Sequence, residues 1–203
     1  KNMKLAGIIG GVGPLATADF FEKIIKNTPS KVDQDNIPII IYNNPQIPDR
    51  TTSILAGGES PVESIVKTGK ALEKMGVDYL AIPCNTSFYY YNQIVEKLNV
   101  PLLNMIDLTV EYIKKSELKN VCILGTAGTL KTRLYQDKLD KENINYTDVD
   151  DEMIDQLQYV IYKVVKNNDF SADISKFIEK INDLRDNQNV DVFILACTEL
   201  PVL

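Results

Sequence analysis

Ile8-Ile9-Gly10-Gly11-Val12-Gly13-Pro14-Leu15 and Ile123-Leu124-Gly125-Thr126-Ala127-Gly128-Thr129-Leu130 align with four identities in eight positions, and each set closes an apolar run. One glycine turn is therefore used twice. Cys84 lies 74 residues beyond Gly10, and Cys197 lies 72 beyond Gly125. Even the approach to each cysteine repeats: Val77-Asp78-Tyr79-Leu80-Ala81-Ile82-Pro83-Cys84 against Val190-Asp191-Val192-Phe193-Ile194-Leu195-Ala196-Cys197. The chain reads as a duplicated half-domain. If the halves pack about a pseudo-twofold axis, two thiols face one cleft, an arrangement suited to taking a proton from one face of a carbon and returning one to the other.

Working outward, apolar runs of strand length alternate with helix-period segments, the pattern of a parallel sheet covered on both faces. The expected fold is α/β: two similar lobes related by a pseudo-twofold, each a mostly parallel sheet with helices on both faces, and the active site in the cleft between them. The lobes are expected at 1–115, carrying Cys84, and 116–203, carrying Cys197, with the boundary in the polar stretch Ser116 to Asn120. Strands are expected near Leu5–Gly10, Pro38–Tyr42, Tyr79–Pro83, Pro101–Met105, Val121–Gly125, Tyr146–Val149 and Val192–Ala196. Helices are expected over Thr17–Lys26, Ser60–Met75, Ser87–Leu98, Leu108–Lys115, Leu130–Glu142, Glu152–Lys166 and Ala172–Arg185. Ser60-Pro61-Val62-Glu63 supplies a cap, a proline at the first helical position and a reciprocating glutamate, and Gly76 ends that helix. Asn43 to Gly58, rich in Asn, Pro, Gly and Thr, reads as an ordered loop. A helix expected after Cys197 is missing or barely begun, and an exchange of the last segment between lobes stays open.

Hydrophobic residues make up 44% of the 203, enough to build a core. No apolar run approaches the roughly 20 residues needed to span a bilayer, and none resembles a signal-peptide core. The expectation is a cytoplasmic protein with no membrane partner. A formal charge of −6 and a pI near 4.8 argue against nucleic acid, which demands a basic face. With no histidine anywhere, Ser-His-Asp and Cys-His nucleophile pairs and histidine-containing zinc sites are excluded. Three cysteines without CxxC spacing suit reduced thiols better than a disulfide framework or a thiolate zinc site.

Cys84 and Cys197 each end a strand and precede polar residues that should open a helix: Asn85-Thr86-Ser87 and Thr198-Glu199-Leu200-Pro201. Ligands bind at the carboxyl edge of open parallel sheets, and a helix N-terminus both lowers a thiol's pKa and offers N–H groups to a carboxylate. The competing reading is a strand-end cysteine packed as a small hydrophobe; the matched pair favours chemistry. Cys122, inside a strand with no polar follower, is expected to be structural. The two glycine loops lack G-x-G-x-x-G and a Walker lysine, so they are tight turns or close approaches to a small ligand rather than nucleotide cradles. Arg50, in a loop stiffened by Pro45 and Pro48, could grip a carboxylate with two parallel bonds or simply be solvated. Lys166 ends an amphipathic helix, where a lysine also suits the dipole. Tyr89-Tyr90-Tyr91 spans most of a helix circumference, so at least one ring must face a partner or solvent.

Taken together, Gly10-Gly11-Val12-Gly13-Pro14-Leu15-Ala16-Thr17, Asn44-Pro45-Gln46-Ile47-Pro48-Asp49-Arg50-Thr51, Pro83-Cys84-Asn85-Thr86 and Cys197-Thr198-Glu199-Leu200-Pro201 resemble the aspartate/glutamate racemase family, its aspartate racemase branch in particular. The resemblance covers essentially the whole chain. It implies a cofactor-independent amino-acid racemase without pyridoxal phosphate or metal, acting on a dicarboxylic amino acid, and a homodimer. It makes Cys84 and Cys197 the two acid/base thiols. It places Asn85, Thr86, Thr198 and Glu199 at the substrate's amino-acid end, with Thr126 and Gly11 as further substrate contacts, Arg50 where the family binds the side-chain carboxylate, and Lys166 as the family's substrate-binding lysine. Two departures stand out: Val12 where the family often has Met, and Phe88 where a histidine is common. Two rivals share the scaffold or the cleft: a thiol-dependent decarboxylase or cis-trans isomerase of small diacids, and a non-catalytic amino-acid sensor.

Overall fold

The computed structural model describes residues 3–203, and the chain divides into two compact units, the first closing at Asn104 and the second spanning Met105–Leu203. Each unit is built on a three-stranded parallel sheet.

In the first unit the order is β1 (Ala6–Gly10), α1 (Pro14–Asn27), β2 (Ile39–Asn43), α2 (Arg50–Ala56), α3 (Val62–Lys74), β3 (Tyr79–Ala81) and α4 (Tyr91–Val95). The sheet order is β2-β1-β3. All five residues of β1 are buried, as a central strand covered on both faces requires. Pro14 opens α1, where its missing N–H costs nothing. Along α3, Val62, Ile65, Val66, Gly69 and Leu72 recur at helical spacing and are buried, with Ile65 and Leu72 at 0% exposure; a fully buried side chain of this kind contributes roughly 1.5–3 kcal/mol. Ser60 Oγ accepts the Val62 N–H at 3.3 Å, and Gly76, at φ +85°, turns the chain out of the helix.

The second unit runs α5 (Met105–Lys115), β4 (Asn120–Gly125), α6 (Ala127–Lys131), α7 (Gln136–Lys141), β5 (Asn145–Thr147), α8 (Asp151–Gln158), α9 (Ser175–Asn187) and β6 (Val192–Ala196). Its sheet order, β5-β4-β6, repeats that of the first unit strand for strand. The repeated Val-Asp dipeptide has a structural reason. Asp78 accepts the Leu5 N–H at 2.6 Å and returns its own N–H to the Leu5 carbonyl at 2.8 Å. Asp191 accepts the N–H groups of Lys119 and Asn120 at 3.2 and 3.0 Å and donates to the Asn120 carbonyl at 2.9 Å. The same aspartate thus ties the third strand to the start of the central one in both units.

Several expectations are corrected. The helix expected over Leu108–Lys115 at the end of the first lobe begins at Met105, clusters with the second unit and packs on α7. The expected strand at 101–105 is reduced to one bridge, Leu80 to Leu102, before Met105 opens α5. The Asn43–Gly58 segment is not all loop: it contains α2, capped by Asp49, whose carboxylate accepts the Thr52 N–H at 2.8 Å, and ended by Gly57 at φ +65°. A seven-residue helix carrying Thr51, Thr52 and Ile54 has weak propensity and too few turns to show a period. The single helix expected over Leu130–Glu142 is broken at Arg133, which adopts φ +58° and donates to Asp137, Asp140 and Tyr146 at 3.0, 3.0 and 2.8 Å. The helix expected over Glu152–Lys166 changes character halfway: after Gln158 it continues as a π-helix over Tyr159–Val165.

Among the described residues no helix is long and apolar enough to cross a membrane.

Candidate active site

Each cysteine is delivered by the third strand of its unit to the edge where the central strand ends. In the second unit β6 pairs with β4 with Ala196 beside Gly125, so Cys197 comes next, beside Thr126. In the first unit β3 pairs with β1 as far as Ala81 beside Ile8 and ends there, and Cys84 follows three residues on, past a bend at Pro83. Gly11 and Thr126 are themselves equivalent in the repeat. Both thiols thus follow the carboxyl end of the third strand of their own sheet, Cys84 three residues on and Cys197 one, and are 6% and 7% exposed. No disulfide involves either of them or Cys122.

The helical segments after the two thiols are shorter than the sequence suggests. Asn85 leads into a 3-10 helix, Thr86–Tyr90, before α4, and Cys197 is succeeded by a 3-10 turn at Leu200–Val202. Neither has the aligned peptides of a full α-helix behind it, so the expected macrodipole contribution at the thiols is small. The local hydrogen bonds are instead those of tight turns: the Cys84 N–H reaches the Ile82 carbonyl at 2.9 Å, the Phe88 N–H reaches the Asn85 carbonyl at 3.0 Å, and the Leu200 N–H reaches the Cys197 carbonyl at 3.0 Å.

The first unit holds Gly11, Arg50, Asn85 and Thr86 of the residues singled out in the sequence. Gly11, at φ +91°, lies against the backbone of Asn44, and the Asn44 N–H donates to the Gly10 carbonyl at 3.0 Å. Thr17 clamps this loop: its hydroxyl accepts the Gly11 N–H at 3.0 Å and donates to the Gly13 carbonyl at 2.9 Å. Arg50 stands at the first position of α2 rather than on a loop and is 8% exposed, with Nη1 donating to the Pro48 carbonyl at 3.2 Å. Its helix packs on the 3-10 helix after Cys84, where the Ser53 and Tyr90 hydroxyls meet at 2.7 Å. Asn85 and Thr86, at 2% and 4% exposure, lie on that same 3-10 element or its cap. The tyrosine run divides its rings: Tyr90 is buried, Tyr91 donates to the Leu102 carbonyl at 3.2 Å and stacks on Phe88, and Tyr89 is the ring left to solvent.

Around Cys197 the second unit gathers Thr126, Thr198, Glu199 and Lys166. Thr126 caps α6, its hydroxyl accepting the Thr129 N–H at 3.2 Å. Gln158, which the sequence did not point to, accepts the Ala127 N–H at 2.9 Å. Lys166 Nζ donates to Glu199 Oε1 at 2.9 Å, with the lysine side chain 23% exposed and the glutamate 2%. Tyr162 presents its ring 5.9 Å from the same ammonium. The lysine gets there on the π-helix, whose wider turn ends with the Lys166 N–H on the Ile161 carbonyl, five residues back, at 2.9 Å. Periodicity in the sequence carries no sign of that wider turn.

Cys122 contrasts with both. It is fully buried in β4, and burial, aided by the nearby Asp148 charge, pushes its thiol up to about 12. It stays protonated at neutral pH. Among the described residues no cluster of three or more Cys, Asp or Glu side chains could hold a metal ion.

Known proteins resemble this chain in sequence and fold. The chain is 39% identical to the aspartate racemase of Picrophilus torridus, covering 98% of this chain and 83% of that one with a TM-score of 0.84. An aspartate racemase homologue from Pyrococcus horikoshii OT3 superposes with a TM-score of 0.76 at 27% identity, over 98% of this chain and 88% of that one. The broad specificity amino-acid racemase RacX of Bacillus subtilis is 29% identical over 204 residues, 97% of this chain and 86% of the relative. The family model described as Asp/Glu/Hydantoin racemase matches residues 9–203, both glycine turns and both cysteines included, and the chain belongs to that family.

Proposed function

We propose that the protein is a cofactor-independent amino-acid racemase that interconverts L- and D-aspartate, with Cys84 and Cys197 as its two acid/base groups. The observation that supports this reading is the repetition of the two units, in each of which the third strand leads at its carboxyl end toward a cysteine. The 39% identity to the Picrophilus torridus aspartate racemase supports aspartate as the substrate.

Inversion at one carbon by two bases needs a thiol on each of its faces. One cysteine, as thiolate, takes the Cα proton, leaving the electron pair delocalised into the α-carboxylate. The other, as thiol, returns a proton to the opposite face. The enzyme ends with its two protonation states exchanged, ready for the reverse reaction. Positioned proton transfer is worth about 10² to 10⁴-fold, so fixed electrostatics must carry much of the rest. In this reading Arg50 and Lys166 hold the side-chain carboxylate, and Gly11, Asn85, Thr86, Thr126 and Thr198, with Glu199 beside Lys166, surround the amino-acid end. A guanidinium already buried on a capped helix loses little freedom on gripping a carboxylate.

A broader substrate range is favoured by one observation, the likeness to RacX along nearly the whole chain. A single methylene changes binding by only about 1–3 kcal/mol, so aspartate and glutamate need not be sharply separated. Because the thiols must stay reduced to work, a reducing cytoplasmic setting is part of the proposal, as is a homodimer, checked by sedimentation equilibrium.

The test is incubation with L-aspartate in heavy water, with NMR and chiral chromatography as readouts. Cα deuteration together with D-aspartate supports the reading. Decarboxylation, or tight aspartate binding with no exchange at Cα, overturns it in favour of a diacid decarboxylase or a sensor. The same assay over a panel of L- and D-amino acids sets the specificity.

A further inference from the structure

Arg50 stands on one element of the first unit and Asn85 with Thr86 on another, and a pair of hydroxyls ties the two together. Arg50 opens α2, and Ser53 follows one turn on, so the two side chains share a face of that helix. Asn85 caps the 3-10 helix Thr86–Tyr90, and Tyr90 ends it. The two helices pack on each other, and Ser53 Oγ meets Tyr90 Oη at 2.7 Å, the ordinary length of a hydroxyl–hydroxyl bond. Tyr90 is buried and Ser53 half-buried, which strengthens the bond against exchange with water. Among the described residues, two further hydroxyls on the same helices, Thr51 Oγ1 and Ser87 Oγ, are buried without a hydrogen-bond partner and add no bond to this contact. A helix of seven residues that belongs to no sheet ladder is held in place by what it packs against. Where α2 sits relative to the 3-10 helix therefore depends on this tie.

We propose that Ser53 and Tyr90 are positioning residues that set substrate length, holding Arg50 at the reach of a four-carbon dicarboxylic amino acid rather than a five-carbon one. The inference rests on the racemase reading, in which Arg50 takes the side-chain carboxylate while Asn85 and Thr86 take the amino-acid end. The spacing of the two helices then measures the carbon chain between those ends. Aspartate and glutamate differ by one methylene, and a rigid pocket turns such a difference into about 10- to 200-fold. A gap free to widen gives part of that away. Neither hydroxyl needs to touch the ligand, since each acts through the helix that carries it.

The experiment compares the intact protein with Tyr90→Phe, Ser53→Ala, the double variant and Ser53→Thr, each shown folded by circular dichroism. Two ratios are read for L-aspartate against L-glutamate: kcat/KM by chiral chromatography, and the dissociation constant by calorimetry. The intact protein is expected to prefer aspartate, and each single variant to lose about three- to tenfold of that preference. The double variant should lose no more than either single one, because both remove the same bond, and Ser53→Thr, which keeps the hydroxyl, should retain the preference. Tyr91→Phe serves as the control: it deletes the neighbouring hydroxyl, whose partner is the Leu102 carbonyl at 3.2 Å, and should leave both ratios unchanged. An intact protein that treats the two amino acids alike overturns the proposal, as do unchanged ratios in the single variants, additive losses in the double one, or an equal loss in Tyr91→Phe. Length-selective binding that shifts as expected without any interconversion sinks the racemase reading and leaves the tie standing. Racemisation with ratios indifferent to the variants does the reverse.

Discussion

Gly11 and Asn44 approach so closely that a Cβ built on Gly11 would lie 2.3 Å from the Asn44 carbonyl carbon, closer than any packed atom pair tolerates. The same glycine is held at φ +91°. Gly11→Ala therefore meets both a backbone clash and a strained dihedral, the latter alone costing about 1–3 kcal/mol. The variant is expected to fold poorly or lose well over about 3 kcal/mol, read from urea unfolding. Gly76→Ala, with a similar φ of +85° but nothing near its Cβ, should lose only the dihedral contribution, about 1 kcal/mol.

The aspartates of the repeat act on their own units. Replacing Asp78 by Ala leaves the Leu5 N–H without its carboxylate acceptor, and replacing Asp191 does the same for Lys119 and Asn120. Each substitution should cost about 1–3 kcal/mol. Hydrogen exchange is expected to speed up at the start of β1 in the first variant and of β4 in the second, with no crossover between them. Equal loss in both sheets from either change would contradict independent ties.

Glu73 makes stability depend on pH in a defined direction. Burial opposes its ionisation, but acceptance of the Asn99 and Val100 N–H groups at 2.5 and 3.1 Å and of Asn99 Nδ2 at 3.0 Å outweighs it, and the carboxyl lies below its ordinary value. A carboxyl held lower in the folded state than in the unfolded chain contributes fully above about pH 4.3, and that contribution is lost as pH falls through the folded value. Glu73→Gln should cost about 1–2 kcal/mol at pH 7 and progressively less in acid. Urea midpoints at pH 7 and pH 3 for both proteins measure the difference, and an equal gap at the two pH values would rule the carboxylate out.

The three cysteines should separate cleanly. Cys84→Ser and Cys197→Ser are each expected to abolish interconversion of the enantiomers, because a hydroxyl is far too weak an acid to exchange places with a thiolate near neutrality. Cys122→Ala should leave turnover within about twofold and cost about 1–2 kcal/mol of stability through the small cavity left in β4. Chiral chromatography reads the first effect and urea unfolding the second. Cys122 should also resist alkylation in the folded protein, its thiol lying at about 12.

Much of this was legible in the residues because repetition is itself a measurement. Two glycine turns, two Val-Asp approaches and two strand-end cysteines make an accidental match improbable, and the structure returns them as two sheets of identical strand order. Long amphipathic helices such as α1 and α3 were legible for the usual reason, a period sustained over several turns. The helix at α2 was not, since two turns rich in threonine carry no readable period, and so Arg50 moved from a loop to a buried helical start. Breaks at Arg133 and after Gln158 were equally silent. A left-handed arginine and a π-helix are stabilised by partners distant in the chain, among them Tyr146 for the first.

The order of apolar runs, glycines and thiols determined that this chain would form two parallel-sheet units with a cysteine at each carboxyl edge, because strand pairing and burial arise from local pattern. Which charged groups would pair with one another was decided only in three dimensions. Lys166 and Glu199 are 33 residues apart, and whether two such side chains meet depends on the pitch of one helix and the closure of one turn. Neither is written in the composition of either segment.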